Sequence, residues 1–357
     1  MEVAPNKIIV HALGGCGINL ADKVVNHGGI DKLGKGFAEI VYNYVDTSLA
    51  NISKIEPKGE FFKIDTESHS KGAITGSGGE AKTHLQDIIP SVDKYLDKIN
   101  VLKPDGFEYH ILMFSCSGGS GRVIGSILLD KLLQLNVPVI AILVGDNTNA
   151  LYAINTANTI ASLHNIANNR QKAITAVYVN NGNGDSKDKP KQDVEADINN
   201  RLAGVLTAIS LFLSGVNEFL DNQDMVNMIN PSNYTTIKVN PGIYGLVVYN
   251  KDDMSSLPKG AIPVLGRTLV LEDGSYNMPH SLLHHKHGYI KEDNVVNIFK
   301  KENLPVHMLL CANYLVAEEI ALKELTNNYY NVMDNITVQN ITGTDRSSVD
   351  NSTGLVF

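Results

Sequence analysis

The chain has 357 residues, 43% hydrophobic and 19% charged, with a formal net charge of −8. This length suits one large or two medium domains with a substantial core; the acidic balance argues against a surface that grips nucleic acid by itself, and no apolar run approaches the ~18 residues of a membrane span. The opening MEVAPNK lacks the layout of a secretory signal, and Cys16, Cys116 and Cys311 are odd in number and far apart, so a reduced cytoplasmic setting is expected rather than a disulfide framework.

In chain order, KIIVHAL (7–13) predicts a buried strand, followed by the loop GGCGIN and a helix over 18–27. EIVYNYVD (39–46) predicts a second strand, and TGSGGE (75–80) a loop before a helix over 79–99. YHILMFS (109–115) is a strand that runs through SCSGGSG into a helix over 121–136. VPVIAILVG (137–145) and ITAVYVN (174–180) flank a helix over 150–169. Strands that alternate with helices predict a doubly wound parallel sheet, and their apolar character fits strands covered on both faces.

After the polar loop NGNGDSKDKP (181–190) a long helix is predicted over 192–216, with Leu202, Val205, Leu206, Ile209, Phe212, Leu213 and Val216 on one face. At ~37 Å it reads as a spine between two domains. YTTIKV (234–239), IYGLVVYN (243–250), AIPVLGRTLVL (261–271) and VHMLLCANYLV (306–316) predict a smaller mixed sheet, with a helix near 316–330. The expected division is therefore a nucleotide-binding domain over 1–190, a central helix over 191–219, a smaller α/β domain over 220–335 and a mobile polar tail over 336–357.

Bare backbone at the C-terminal end of a buried strand suits a phosphate, because backbone N–H groups and a helix N-terminus form an anion site. Gly14, Gly15, Cys16, Gly17 and Asn19 make the first such loop. It approximates a dinucleotide fingerprint, but Leu20 stands where the third glycine belongs, and a plain strand-to-helix turn would use the same glycines. Asp46 and Thr47 end the second strand; Gly76, Ser77, Gly78 and Gly79 form another loop; Ser117, Gly118, Gly119, Ser120 and Gly121 form the fourth. None of the glycines leads into Gly-Lys-Ser/Thr, which excludes a P-loop. Several glycine loops together can surround a triphosphate without a lysine, using backbone donors, helix dipoles and a bound Mg²⁺.

In order and spacing, GGCGIN, VDTS, TGSGGE and SGGSGRVIG resemble the phosphate loops of the tubulin/FtsZ superfamily. The last is similar to its Gly-Gly-Gly-Thr/Ser-Gly-Ser/Thr-Gly signature, with Ser117 for the first glycine, Arg122 at the sixth position and Val123 at the seventh. The resemblance spans about 1–330 and implies a GTPase that binds GTP or GDP with Mg²⁺. It also implies that Asn180, with Asn181 as the alternative, and Asn200 read the guanine, while 145–150 supplies ribose contacts.

Asp221 and Asp224 in EFLDNQDMVNMI match acids that, in FtsZ, approach the nucleotide of the next subunit, although Phe219 stands where FtsZ has asparagine. Read from the residues alone, the same pair is a helix cap with a second acid in the first turn. The resemblance thus implies head-to-tail filaments of the chain with itself and hydrolysis at the interface. Within the superfamily the chain looks most like the phage and plasmid tubulins, the TubZ and PhuZ groups. The first implied role is partition of a plasmid or plasmid-like phage DNA in the bacterial host cytoplasm. It would act through a DNA-binding adaptor on a centromere-like site, with no sequence-specific DNA contact of its own and no membrane. The second is a spindle that positions replicating phage DNA; from another class, an NAD(P)-dependent oxidoreductase stays open. His280, His284, His285 and His287 lie in a segment too short for a firm helix and without a carboxylate, so no metal site is expected there.

Overall fold

The structure, a computed structural model, describes residues 6–26, 38–66, 85–101, 107–182, 189–214, 217–250, 257–271, 282–290, 296–297, 301, 305–336, 353 and 355–356. The first half alternates as expected: β1 (Lys7–Leu13), α1 (Gly14–Asn26), β2 (Glu39–Asp46), β3 (Glu60–Lys63), α2 (Leu85–Ile99), β4 (Glu108–Ser115), α3 (Ser120–Gln134), β5 (Val139–Gly145), α4 (Ala150–Arg170) and β6 (Ala173–Asn180). The second half comprises α5 (Lys191–Phe212), β7 (Asn217–Glu218), α6 (Asn222–Ile229), β8 (Gly242–Tyr249), β9 (Ile262–Leu271), β10 (His284–Ile290), β11 (His307–Ala312) and α7 (Val316–Ile336).

All strands among the described residues join one sheet in the order β3-β2-β1-β4-β5-β6-β8-β11-β9-β10-β7. The run from β3 to β6 is parallel, and its order reverses between β1 and β4. Ligands of such sheets bind outside the carboxyl ends of the strands at that reversal. Instead of a separate second sheet, β8 continues the first one, pairing parallel with β6 from Ala173–Gly242 to Ala176–Gly245. Beyond it, β11 is antiparallel to both β8 and β9, and β10 runs parallel to β9.

Strand pleating sorts the core into two faces. On β4, Ile111 and Met113 share a core with Ile18, Ala21 and Val24 of α1, whereas Leu112 and Phe114 share one with Ile124 and Leu128 of α3. Both faces are covered, which is why these strands read as unbroken apolar runs.

Several sequence expectations are corrected. The helix after β1 begins at Gly14, not at residue 18, so the first glycine loop is itself the opening turn of α1. YTTIKV is not a strand; after a 3₁₀ turn over Pro231–Asn233 the chain stays irregular until β8. The histidine-rich segment is strand β10, while His280 lies outside the described residues. Within 336–357, expected to be mobile, Leu355 is 3% exposed in the core with Leu163 and Leu322, and the Val356 N–H donates to Ser162 Oγ at 2.8 Å.

A buried polar cluster ties α2 to the sheet. His11 of β1 lies 2.5 Å through Nδ1 from the Tyr95 hydroxyl and 2.9 Å through Nε2 from His110 Nδ1 of β4. Burial pushes His110 down to about 4, and burial together with His110 lowers His11 well below the usual histidine range. Both rings are therefore neutral in the fold but titrate near 6.5 once unfolded. Between those values the unfolded chain binds more protons, so stability is complete above pH ~6.5 and falls as pH drops towards ~4. Denaturant unfolding at pH 7.5 and 5.5 should record a loss that grows, for His110, to about 3 kcal/mol by pH 4, at ~1.4 kcal/mol per unit, with His11 acting in the same direction. A His110→Gln chain should lose less over this range; an equal loss would remove the pair as its source.

Candidate nucleotide site and acid loop

At the β1/β4 reversal two glycine loops interlock. A Cβ on Gly14 would lie 2.8 Å from the backbone of Gly121, and one on Gly121 would lie 2.8 Å from the Leu13 carbonyl oxygen. Gly14 also holds φ +67°, in the left-handed region that favours glycine. A Cβ on Gly17 would meet the Met113 carbonyl at 2.2 Å, so these glycines let α1, β4 and α3 converge.

The β4 loop is shaped by its own hydroxyls. Ser115 Oγ accepts the N–H groups of Ser117 and Gly118 at 3.1 and 3.2 Å. From behind, α4 fixes the same loop: Asn155 donates to the Ser117 carbonyl and Thr159 to the Cys116 carbonyl. α3 starts immediately afterwards, aiming the positive end of its dipole and its first N–H groups at the loop. Gly118 has nothing but the Ser115 side chain, 3.8 Å away, where a Cβ would be. It faces open space.

That space is a cleft of about 270 Å³, lined by Cys16, Asn19, Ser115, Ser117, Gly118 and Val144, with Asp146, Tyr152, Asn181, Glu195, Ile198 and Asn199 opposite. Of the expected contacts, Cys16, Asn19, Ser117 and Gly118 line it, while Gly14, Gly15, Gly17 and Gly121 build the frame behind, with Gly119 the N-cap of α3 and Ser120 its first residue. Burial, with Glu195 and Asp146 nearby, pushes the Cys16 thiol up to about 12, so it stays protonated. Asp46 and Thr47 flank the frame: Thr47 Oγ1 lies 2.8 Å from Ser120 Oγ, and Asn51 donates to Asp46. Burial raises the Asp46 carboxyl, against hydrogen bonds from Thr47, Asn51 and Ser120. The expected Gly76, Ser77, Gly78 and Gly79 lie outside the described residues.

Neither Asn180 nor Asn200 lines the cleft, but a neighbour of each does. Asn180 shares the pleat face of Tyr178, and both side chains donate to Glu318 of α7; its neighbour Asn181 lines the cleft. On α5, Asn200 is exposed and Asn199 faces the cleft with Glu195 one turn before it. The apolar stripe of α5 carried the missed signal. Extended back through Ile198 and Val194, it puts Asn199 and Glu195 about 100° from its centre and Asn200 about 200° away. Asp146 and Tyr152 are the residues that the strand end after β5 contributes.

Asp221 and Asp224 lie at the opposite end of the sheet. Asn6, just before β1, donates to the Leu213 carbonyl at 2.8 Å and to Asn222 Oδ1 at 2.7 Å, which puts the acid loop at the feet of the strands. The length of β1, ~20 Å, separates it from the glycine loops. Asp221 is the N-cap of α6, and the two acids form a reciprocal capping box: Asp224 N–H donates to Asp221 Oδ1 at 2.8 Å, and Asp221 N–H to Asp224 Oδ2 at 3.1 Å.

Sequence reading missed the basic side chains beneath this loop. Lys286 of β10 forms an ion pair with Asp224 Oδ2. Arg267 of β9, fully buried, donates to the Asp224 carbonyl at 3.1 Å and to the Tyr234 hydroxyl at 2.8 Å. Burial raises the Asp224 carboxyl, but Lys286, the Asp221 N–H and Arg267 outweigh it and hold the group below the usual carboxylate range. Beside the acids, Phe219 is 67% exposed, holds φ +76°, and meets Tyr289 edge to face at 5.4 Å.

Residues 7–181 match the family model described as Tubulin/FtsZ family, GTPase domain. A phage tubulin-like protein of Pseudomonas phage 201phi2-1 is 25% identical over 225 residues, 63% of this chain and 62% of that protein. The match thus spans less than two thirds of the relative. Among solved structures, the PhuZ201 filament superposes with a TM-score of 0.71 at 18% identity, covering 98% of this chain and 99% of that one. The phage tubulin PhuZ with GDP gives 0.71 at 19% identity and covers 99% of both chains. At these identities the structural likeness concerns the fold.

Proposed function

We propose that the chain, whose residues 7–181 match the GTPase-domain model of the Tubulin/FtsZ family, binds GTP in the cleft at the β1/β4 reversal and polymerises head to tail. Asp221 and Asp224 of one subunit then act on the nucleotide of the next. The observation that carries this reading is the placement of glycine loops and acids at opposite ends of one sheet. Within a subunit they never meet; stacked subunits bring them together.

Phosphoryl transfer asks little covalent chemistry of the protein and depends on positioning and electrostatics. In this reading Gly118 and the start of α3 hold phosphate oxygens, while an ionised Asp224 orients the attacking water. Guanine presents N1–H and a 2-amino group that adenine lacks, and Glu195, Asn199 and Asn181 offer acceptors to them. Mg²⁺ binds through phosphate oxygens, water and one or two carboxylates. Asp46, buried beside Ser120, is the carboxylate suited to it, and among the described residues no cluster of three His, Cys, Asp or Glu forms a metal site of another kind.

Filaments that turn over in this way can move DNA in a bacterial host cytoplasm. The phage tubulin-like relative and the PhuZ filament support the spindle reading, positioning of phage DNA, ahead of plasmid partition through an adaptor. The Tubulin/FtsZ match over residues 7–181 favours this reading over the hydride-transfer alternative. The test is sedimentation and light scattering with GTP, GDP, ATP and a slowly hydrolysed GTP analogue. Polymer is expected with GTP and the analogue, not with ATP; equal assembly with ATP, or none with either guanine triphosphate, would overturn the proposal.

A further inference from the structure

An acid that works on a neighbour's triphosphate faces a physical obstacle, since carboxylates and phosphates repel. The acid loop carries a remedy from a distant part of the chain. Lys286 stands opposite Arg267 in the β9–β10 register, so two cationic side chains from adjacent strands point at α6. Arg267 braces the backbone of Asp224 through its carbonyl oxygen, and Lys286 holds its carboxylate. The Lys286 side chain is 37% exposed, against 16% for Asp224.

We propose that Lys286 is a positioning residue for hydrolysis: it fixes the Asp224 carboxylate in the orientation that faces the adjoining subunit and offsets its repulsion of the incoming triphosphate. The inference rests on the reading of Asp224 as the acid that acts on the next subunit's nucleotide. A purely structural ion pair on this half-exposed surface would add little, since exposed pairs contribute weakly and variably to stability. A positioning pair instead governs the turnover of assembled subunits and its dependence on pH. Asp221, Arg267 and His284 also face Asp224, and with Lys286 they set its charge; Lys286 keeps Asp224 ionised to lower pH, so its removal shifts the acid limb of turnover upwards.

The experiment compares the full chain with Lys286→Met, Lys286→Arg and Asp224→Asn, measuring GTP turnover per sedimented subunit from pH 5 to 9. Lys286→Met should lower turnover by ~10-fold or more, the scale on which misplacing a catalytic group acts, and move the acid limb to higher pH. Lys286→Arg, which keeps the charge, should recover most of the rate and the original limb. Melting temperature checks the fold; should Lys286→Met melt early, Lys286→Gln, polar but uncharged, carries the same comparison. If Asp224→Asn abolishes turnover while the neutral Lys286 variants keep the wild-type rate and pH profile, the inference fails and the proposed function stands. If Asp224→Asn itself turns over normally, the proposed function fails and takes this inference with it.

Discussion

Filaments of Asp224→Asn should form with GTP yet hydrolyse it ~10²–10⁴-fold more slowly, the range for loss of a positioned acid or base, and should persist where wild-type filaments disassemble. Asparagine is the informative replacement because Asp224 has two roles in the structure. Its carboxylate accepts the Asp221 N–H in the capping box, and it pairs with Lys286. Asparagine keeps an acceptor oxygen for the cap and removes only the charge. A cap without catalytic duty predicts at most a stability change within the ~0.5–2 kcal/mol of lost N-caps, with turnover per assembled subunit nearly intact. The glycine loops lie a strand length away, so nucleotide binding by the mutant subunit itself should be unchanged. Mixed filaments sharpen the comparison: mutant subunits should slow hydrolysis at the neighbours they abut. Wild-type turnover in Asp224→Asn filaments would leave the cap as the sole role.

Gly118→Leu should abolish GTP binding, and with it assembly, without unfolding the chain. The two halves of that expectation have separate causes. Within the protein a Cβ at Gly118 would meet only the Ser115 side chain, at 3.8 Å, and its φ lies outside the left-handed region, so stability should stay within the ~0.5 kcal/mol of ordinary surface changes. In the cleft, however, a leucine would fill the space where backbone approaches phosphate. Gly121→Ala is the contrasting control, because its Cβ would strike the Leu13 carbonyl oxygen at 2.8 Å and disturb the frame itself. Binding of a fluorescent GTP analogue, measured beside the melting temperature, separates them. Tight binding by a stably folded Gly118→Leu chain would move the phosphates to another loop.

The sequence alone determined what depends on neighbours in the chain. Unbroken apolar runs marked the strands of the first half, because both faces of the sheet are covered, and period-3.6 patterns marked its helices. Glycines at strand ends marked the turns that frame the cleft, because a missing Cβ is legible wherever it falls. The Asp221–Asp224 spacing likewise foretold the cap of α6. What the tertiary structure decided turns on direction in space. Whether Asn180 or Asn181 faces the cleft depends on which side of β6 is covered by α7, and Glu318, 138 residues away, claims Asn180. Asn199 and Asn200 differ by a 100° turn of α5 whose zero is set by its packing on α1. The joining of both halves into one sheet rests on the pairing of β6 with β8, a contact that neither strand's own sequence encodes. Most distant of all is the partnership of Lys286 with Asp224: the two are 62 residues apart, and only the folding of β10 beside β9 under α6 sets an ammonium against that carboxylate.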